Sequence, residues 1–350
     1  MENRLTLTNL LVAIGVVLFL FALLMPAVTT THGPRRGNTC RNNLTNLVKS
    51  VINYESVHHR YPDYQQIIVT RSGHAMQMNW LAEIMRQLDR PDIDNSLKSF
   101  SPPTPVPLES ATRDSLAMNP FTFATGPAPP PGVSFLEILL CPASDLPKSQ
   151  PITNYIINTG RLDNPNGLAN GFPVDHPDNG VFQTSEILQT AGGFYRLGAL
   201  GQSMGSDFIT RHDGLSTTLM LSERIDAGLW TDIDERKLGF VWQPAVDPLP
   251  SSPRDYTMCR LNGKPLLAPP NADSRWSRPS SHHPGGVNVA FAGGNVRFIS
   301  DEIDYHVWIL LMTSNGAGAR DPGADKQTVL IGAKPEQTPG SELEERGIIP

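Results

Sequence analysis

Eighteen consecutive residues near the start of the chain, Leu10 to Ala27, read "LLVAIGVVLFLFALLMPA" without a charge, and Leu5 and Leu7 extend the apolar character upstream. As a helix this run is about 27 Å long at ~1.5 Å per residue, close to the hydrocarbon thickness of a bilayer. The run is long for a secretory leader, and "MENR" before it offsets its single Arg with a Glu, so the pattern predicts a retained anchor over a cleaved signal. Beyond a polar break at "TTTHGPRRGN", Cys40, Leu44, Leu47, Val48, Val51 and Tyr54 recur at spacings of three and four, the period of an amphipathic helix. Arg41, Asn42, Asn43, Asn46, Lys49 and Glu55 occupy much of its other side, and Pro62 ends it. The expected opening is therefore a transmembrane segment over 1–30 and an amphipathic helix over 31–62.

Further on the period shortens. "AMQMNWLAEIMRQL" predicts one more amphipathic helix, and Ser101 to Gly132 is rich in proline at both ends, which predicts an extended loop over 101–132. From "FLEILLC" onward, short β-like runs such as "TNYIIN", "TTLMLSE" and "KLGFVWQPAV" alternate with Gly, Pro, Asn and Asp, the pattern of a mostly antiparallel sheet. "YRLGALGQSMGSDFITRHDG" reads as a glycine-rich loop entering another strand. "VNVAF" and "VRFI" flank Gly293 and Gly294, the signal of a hairpin closed by a two-residue turn. That register puts Val287, Val289 and Phe291 on one face, with Val296 and Phe298 as their cross-strand neighbours. "DEIDYHVWILLMTS" predicts a short helix closing the sheet, and 318–350 has no periodicity and reads as a mobile tail.

Charge and composition narrow the function. The formal net charge is −6 and the Lys and Arg residues are scattered, so nucleic acid lacks its electrostatic footprint and is not an expected partner. With 32 prolines, 29 glycines and 18% charged residues, the chain reads as a loop-rich extracytoplasmic domain. Its chemistry is sparse: there is no HExxH, no CxxC and no phosphate or dinucleotide loop after a strand. "GQSMG" matches G-x-S-x-G at Gly201, Ser203 and Gly205 but lacks the strand-then-helix context of a nucleophile elbow. "HDG" at His212 to Gly214 reads as a turn before a strand, and His58, His59, His74 and His176 are dispersed. Adjacent His282 and His283 point to opposite faces of an extended backbone, one ligand per face, whereas zinc needs three or four. The expectation is no catalytic residue, no metal and no cofactor, with His283 capping the hairpin.

Several landmarks in fixed order resemble a large bacterial family of unknown function that carries a prepilin-type N-terminal cleavage and methylation segment. They are "LTLTNLLVAIGVVLFLFALLMPAV", "CRNNL" at Cys40 to Leu44, Tyr61-Pro62, "NWLAEIMRQLDR", "FLEILLCPASD", "TNYIINTG", "DGLSTTLMLSE" and the hairpin. The last is similar to the prepilin-processing-associated segment in which a His is followed, after nine residues, by Asp-Gly. Here His283 leads to Gly293-Gly294, so the Asp is a Gly. The N-terminal motif also departs from the family. Aligned on Thr6-Leu7, Arg4 stands where the peptidase needs Gly, Leu5 replaces the methylated Phe, and Asn9 replaces the Glu expected to pair with a neighbouring subunit's amine. The resemblance implies an α+β fold, a pilin-like N-terminal transmembrane and amphipathic helix packed on a mostly antiparallel head over 63–317. The departures at Arg4, Leu5 and Asn9 imply an anchor kept without normal processing or filament formation. Cys40 and Cys141 both stand at family landmarks, and their pairing, which would pin the helix to the head, is weighed against two buried thiols.

The reading from sequence is a single-pass pseudopilin-like protein of the cytoplasmic membrane with its head on the extracytoplasmic side, a non-catalytic binding or assembly component of the envelope. Its expected partners are the lipid bilayer and other pilin-like or envelope proteins. Arg35, Arg36 and Arg41 after the apolar run oppose that topology under the positive-inside rule. The rival is an envelope enzyme or a solute- or polysaccharide-binding protein with a tethered head, in which Trp80, Trp230, Trp242 and Trp276 would line a cleft.

Overall fold

The structure, a computed structural model, describes residues 7–29, 32–71, 73–99, 106–107, 135–144, 146, 151–162, 175–183, 187–190, 193–196, 204–242, 259–263, 266–267 and 276–319. Helix α1 (Leu7–Thr29) carries the apolar run, and its described side chains, which end at residue 20, are all exposed. Among the described residues no helix is long and apolar enough to cross a membrane. Helix α2 (His32–His58) is the amphipathic one, and Cys40, Leu44, Leu47, Val48, Val51 and Tyr54 are all buried along one side.

Strand β1 (Gln65–Val69) pairs antiparallel with β2 (His74–Asn79). Here the structure departs from the helix expected over "AMQMNWLAEIMRQL". Its first part is β2, and only Trp80–Glu83 forms a helix, α3, of a single turn. Asn79 makes the break. Its Oδ1 accepts from the N–H groups of Leu81 and Ala82 (3.0 and 3.4 Å), while its Nδ2 donates to the carbonyls of Trp230 and Asp232 (2.5 and 2.7 Å). An amide that caps a helix and is fixed by distant carbonyls overrides the local period. Helix α4 (Pro91–Ser99) follows, and β3 (Val106–Pro107) adds the third strand of this small sheet. The rest of the proline-rich loop lies outside the described residues.

The principal sheet is built later in the chain. Strand β4 (Ile152–Gly160) is buried throughout; the hairpin of β5 (Ile187–Thr190) and β6 (Gly193–Arg196) comes next, then helix α5 (Ser206–Arg211), where a strand was expected. Strand β7 (Leu219–Leu229), helix α6 (Glu235–Leu238), β8 (Gly239–Val241), β9 (Gly286–Phe291), β10 (Val296–Ser300) and helix α7 (Tyr305–Met312) complete it. The strand order is β10-β9-β7-β4-β8, antiparallel except for the parallel β4–β8 pair. The fold is thus mixed α and β. Alternate residues of β4 serve two cores: Tyr155 and Ile157 meet α2, while Ile156 meets the cluster of Trp308 and Leu311 from α7.

The hairpin closes differently from the expected two-residue turn. Phe291 N donates to Asn295 O (3.0 Å) and Gly294 N to Phe291 O (2.8 Å), leaving a three-residue loop with Gly294 at φ 88°. This is a turn with a glycine bulge, and it shifts the register by one residue. Ala290 therefore faces Val296, Val289 faces Arg297 and Val287 faces Ile299. A one-residue slip turns every side chain of a strand over. Val287, Val289, Phe291 and Ile299 share the α7 core, Val296 joins the α2 core, and Phe298 points outward.

Candidate functional site

Three of the candidate residues, Cys40, Cys141 and His283, meet where α2 crosses the sheet. Cys40 lies on the buried stripe of α2, and Cys141 follows a single 3-10 turn at Glu137–Leu139. The two are joined in a disulfide with Cα atoms 4.7 Å apart. The landmark "CRNNL" supplies the surrounding bonds: Asn43 Nδ2 donates to Leu140 O (2.9 Å), and Arg41 NH2 reaches across to Val296 O (3.0 Å). From the sheet, Asn154 Oδ1 accepts from Cys141 N (3.0 Å), and the Tyr155 hydroxyl donates to Cys40 O (3.1 Å). Burial, and then the nearby Glu223 charge, raise the Tyr155 phenol well above its ordinary range, so it acts as a donor here.

His283 completes the junction. Its backbone N donates to Ser281 Oγ (3.1 Å), and its Nε2 lies 3.6 Å from Cys141 Sγ and 3.4 Å from Glu223 Oε1. Glu223, on β7, is almost fully buried, and Asn288 on β9 holds it through N to Oε2 (3.1 Å) and Nδ2 to Oε1 (2.9 Å). The Glu223 carboxylate raises the His283 imidazole above its ordinary value, against the opposing effect of burial. His283 is therefore more than a hairpin cap. The acidic partner of His283 comes from a neighbouring strand, because β7 and β9 are adjacent, whereas Gly293 lies beyond the far end of β9, out of reach of His283. Glu223 and Asn288 were missed as site residues; Glu223 ends "DGLSTTLMLSE", and a carboxylate inside a buried strand was the available signal.

The other predicted positions lie elsewhere. Gly293 and Gly294 sit in the hairpin loop; Arg4, Leu5 and Ser203 fall outside the described residues, and Asn9 is in α1. Asp213 accepts from Thr313 Oγ1 (3.1 Å) and Gly316 N (2.8 Å), tying the start of β7 to the end of α7, while His212 bonds Phe208 O (2.8 Å). Trp80, Trp230, Trp242 and Trp276 are all buried. A second titratable cluster was not expected. Glu83 accepts from the Tyr54 hydroxyl (2.8 Å), Arg60 NH2 (3.0 Å) and Asp63 N (2.9 Å), and burial raises its carboxyl to about 7 despite the Arg60 charge. It underlies a groove of about 590 Å³ that is broadly open to solvent.

A family model described as a protein of unknown function (DUF1559) matches residues 35–306. The match takes in most of α2, all three described sheets, and every residue of the Cys40, Cys141, Glu223 and His283 junction; α1 precedes it. No curated protein and no solved structure matches the chain.

Proposed function

Because the chain belongs to this bacterial family of unknown function, DUF1559, we propose that it is a single-pass, membrane-anchored, pseudopilin-like protein. Its extracytoplasmic head binds or assembles with other envelope proteins and carries out no catalysis. One observation carries the reading: Leu10, Leu11, Val12, Ile14, Val16, Val17, Leu18, Phe19 and Leu20 are all exposed, so α1 is apolar on every side and packs against nothing described. A helix apolar all round needs a lipid or protein environment. Next to it in sequence, α2 has the opposite character, with one buried stripe and a disulfide to the head. Force or displacement at the anchor would therefore reach the sheet directly. The grooves beside α2 are wide and open, which suits contact with a partner surface better than enclosure of a small substrate.

The test is fractionation followed by topology. The full chain should stay with membranes through alkaline carbonate washing, and protease added to spheroplasts should digest the head. Release by carbonate would refute the anchor, and full protection in intact spheroplasts would reverse the orientation, as Arg35, Arg36 and Arg41 favour.

A further inference from the structure

The Cys40–Cys141 bridge stands beside two groups that a disulfide does not need. Glu223 is a carboxylate buried at 2% exposure, and His283 turns Nε2 toward both it and Cys141. Taking an anion out of water is costly unless something at the site uses the charge. Two sulfurs, an imidazole and a carboxylate form a donor set suited to a zinc-class ion. The spacings agree. Around a tetrahedral ion with metal–sulfur bonds of ~2.3 Å and metal–nitrogen or metal–oxygen bonds of ~2.05 Å, sulfur–nitrogen edges are about 3.6 Å and nitrogen–oxygen edges about 3.3 Å. Cys141 Sγ to His283 Nε2 is 3.6 Å, and His283 Nε2 to Glu223 Oε1 is 3.4 Å. All four donor atoms lie within 4.8 Å of one another. To seat the ion the sulfurs must part to about 3.8 Å once they are no longer bonded, and donor pairs as far apart as 4.8 Å must draw in.

We propose that the reduced junction binds one zinc-class divalent ion through Cys40 Sγ, Cys141 Sγ, His283 Nε2 and the Glu223 carboxylate. Disulfide and metal are then alternative ties between α2 and the head. Outer contacts already orient the ligands: Asn288 holds both Glu223 oxygens, and Ser281 Oγ fixes the backbone of His283. The chemistry balances. A phosphine reductant gives two electrons to the S–S bond and becomes the phosphine oxide with the oxygen of one water, whose two protons end on the sulfurs. Binding the ion then releases both thiol protons to solvent, since the sulfurs coordinate as thiolates. The inference rests on the head alone and stands or falls separately from the anchor.

The test uses full-length protein in detergent, reduced with a phosphine under argon and titrated with Co²⁺ alone. Alkylation before and after reduction checks the bond, since Cys259 is the one cysteine outside the bridge. The reduced wild type should take up one Co²⁺ per chain, with thiolate-to-metal absorption and tetrahedral ligand-field bands that Zn²⁺ abolishes. The oxidised wild type should show neither. His283→Gln and Glu223→Gln, each first shown to fold in the oxidised state, should each weaken uptake by about tenfold or more. Zn²⁺ should also raise the unfolding midpoint of the reduced protein and leave that of the oxidised protein unchanged. Reduced wild type that binds no Co²⁺, binds it without thiolate absorption, or binds it equally well in both variants would overturn the proposal.

Discussion

Two phenylalanines of one hairpin give the sharpest test of the register. Phe291 is 1% exposed and packs in the core with Trp308 and Leu311, whereas Phe298 is 50% exposed on β10. With a two-residue Gly-Gly turn both would face the same core; the three-residue loop separates them. A buried aromatic ring removes ~150–250 Å² from water, and at ~25 cal/mol per Å² this is roughly 4–6 kcal/mol as an upper bound. Alanine keeps part of that contact but leaves a cavity, so Phe291→Ala should cost about 3–5 kcal/mol. Phe298→Ala forfeits only the sheltered half of its ring, an upper bound of roughly 2–3 kcal/mol, and leaves no enclosed cavity, so it should cost about 1–2 kcal/mol. Urea unfolding of both full-length variants in detergent, followed by tryptophan fluorescence, measures the difference. Equal losses, or a larger loss for Phe298, would refute the register and the argument that loop length sets it.

Other expectations follow from the same contacts. Replacing Cys40 and Cys141 by Ser opens a loop of sequence separation 101, and chain entropy puts the loss at roughly 4–5 kcal/mol, measurable by comparing unfolding midpoints with and without reductant. Gly294→Ala should lose about 1 kcal/mol or more, because φ is 88° and the new Cβ would come 3.1 Å from Ile52 Cδ1. Gly293→Asp has no positive φ to satisfy, and although its Cβ would come 3.3 Å from Leu215 O it should cost less in the same melt. Glu83 titrates at about 7 when folded against an ordinary 4.5, so the folded state holds its proton more tightly. Its contribution to stability is therefore full below about pH 4.5 and is lost as pH rises through about 7. Glu83→Gln should flatten that fall in a series of urea midpoints; parallel curves would contradict it.

How much of this could be read from the chain depends on how far away each residue finds its partners. The buried stripe of α2 is visible because its period belongs to α2 itself, and the same holds for α7 and for the apolar alternation of β9. The strand-to-helix switch at Asn79 is hidden because the carbonyls that fix its amide belong to Trp230 and Asp232, some 150 residues away. The hairpin's location is plain, but its loop length is not. "GGN" accommodates a two- or a three-residue turn, and the choice between them decides which face of β10 is buried. The junction around His283 is the least legible. It needs the strand order that places Glu223 beside Asn288, and neither residue has a periodicity that announces it.

The bond from Arg41 to the carbonyl of Val296 spans 255 residues, and it sets an order in time. A ribosome adding roughly 5–20 residues per second delivers the second partner some ten to fifty seconds after the first. During that interval α2 has neither β9 nor β10 to lie against, so its stripe from Leu44 to Tyr54 is at best partly covered by the strands and helices made earlier. Native contacts so distant in sequence also slow the search once the chain is complete, since the entropy of closing the loop comes before any gain from the contact. A newly made molecule therefore passes through a period in which α1 and α2 both carry uncovered apolar surface. Holdase chaperones would be needed most in that period, and faster synthesis between Arg41 and Val296 should reduce aggregation without changing a single native contact.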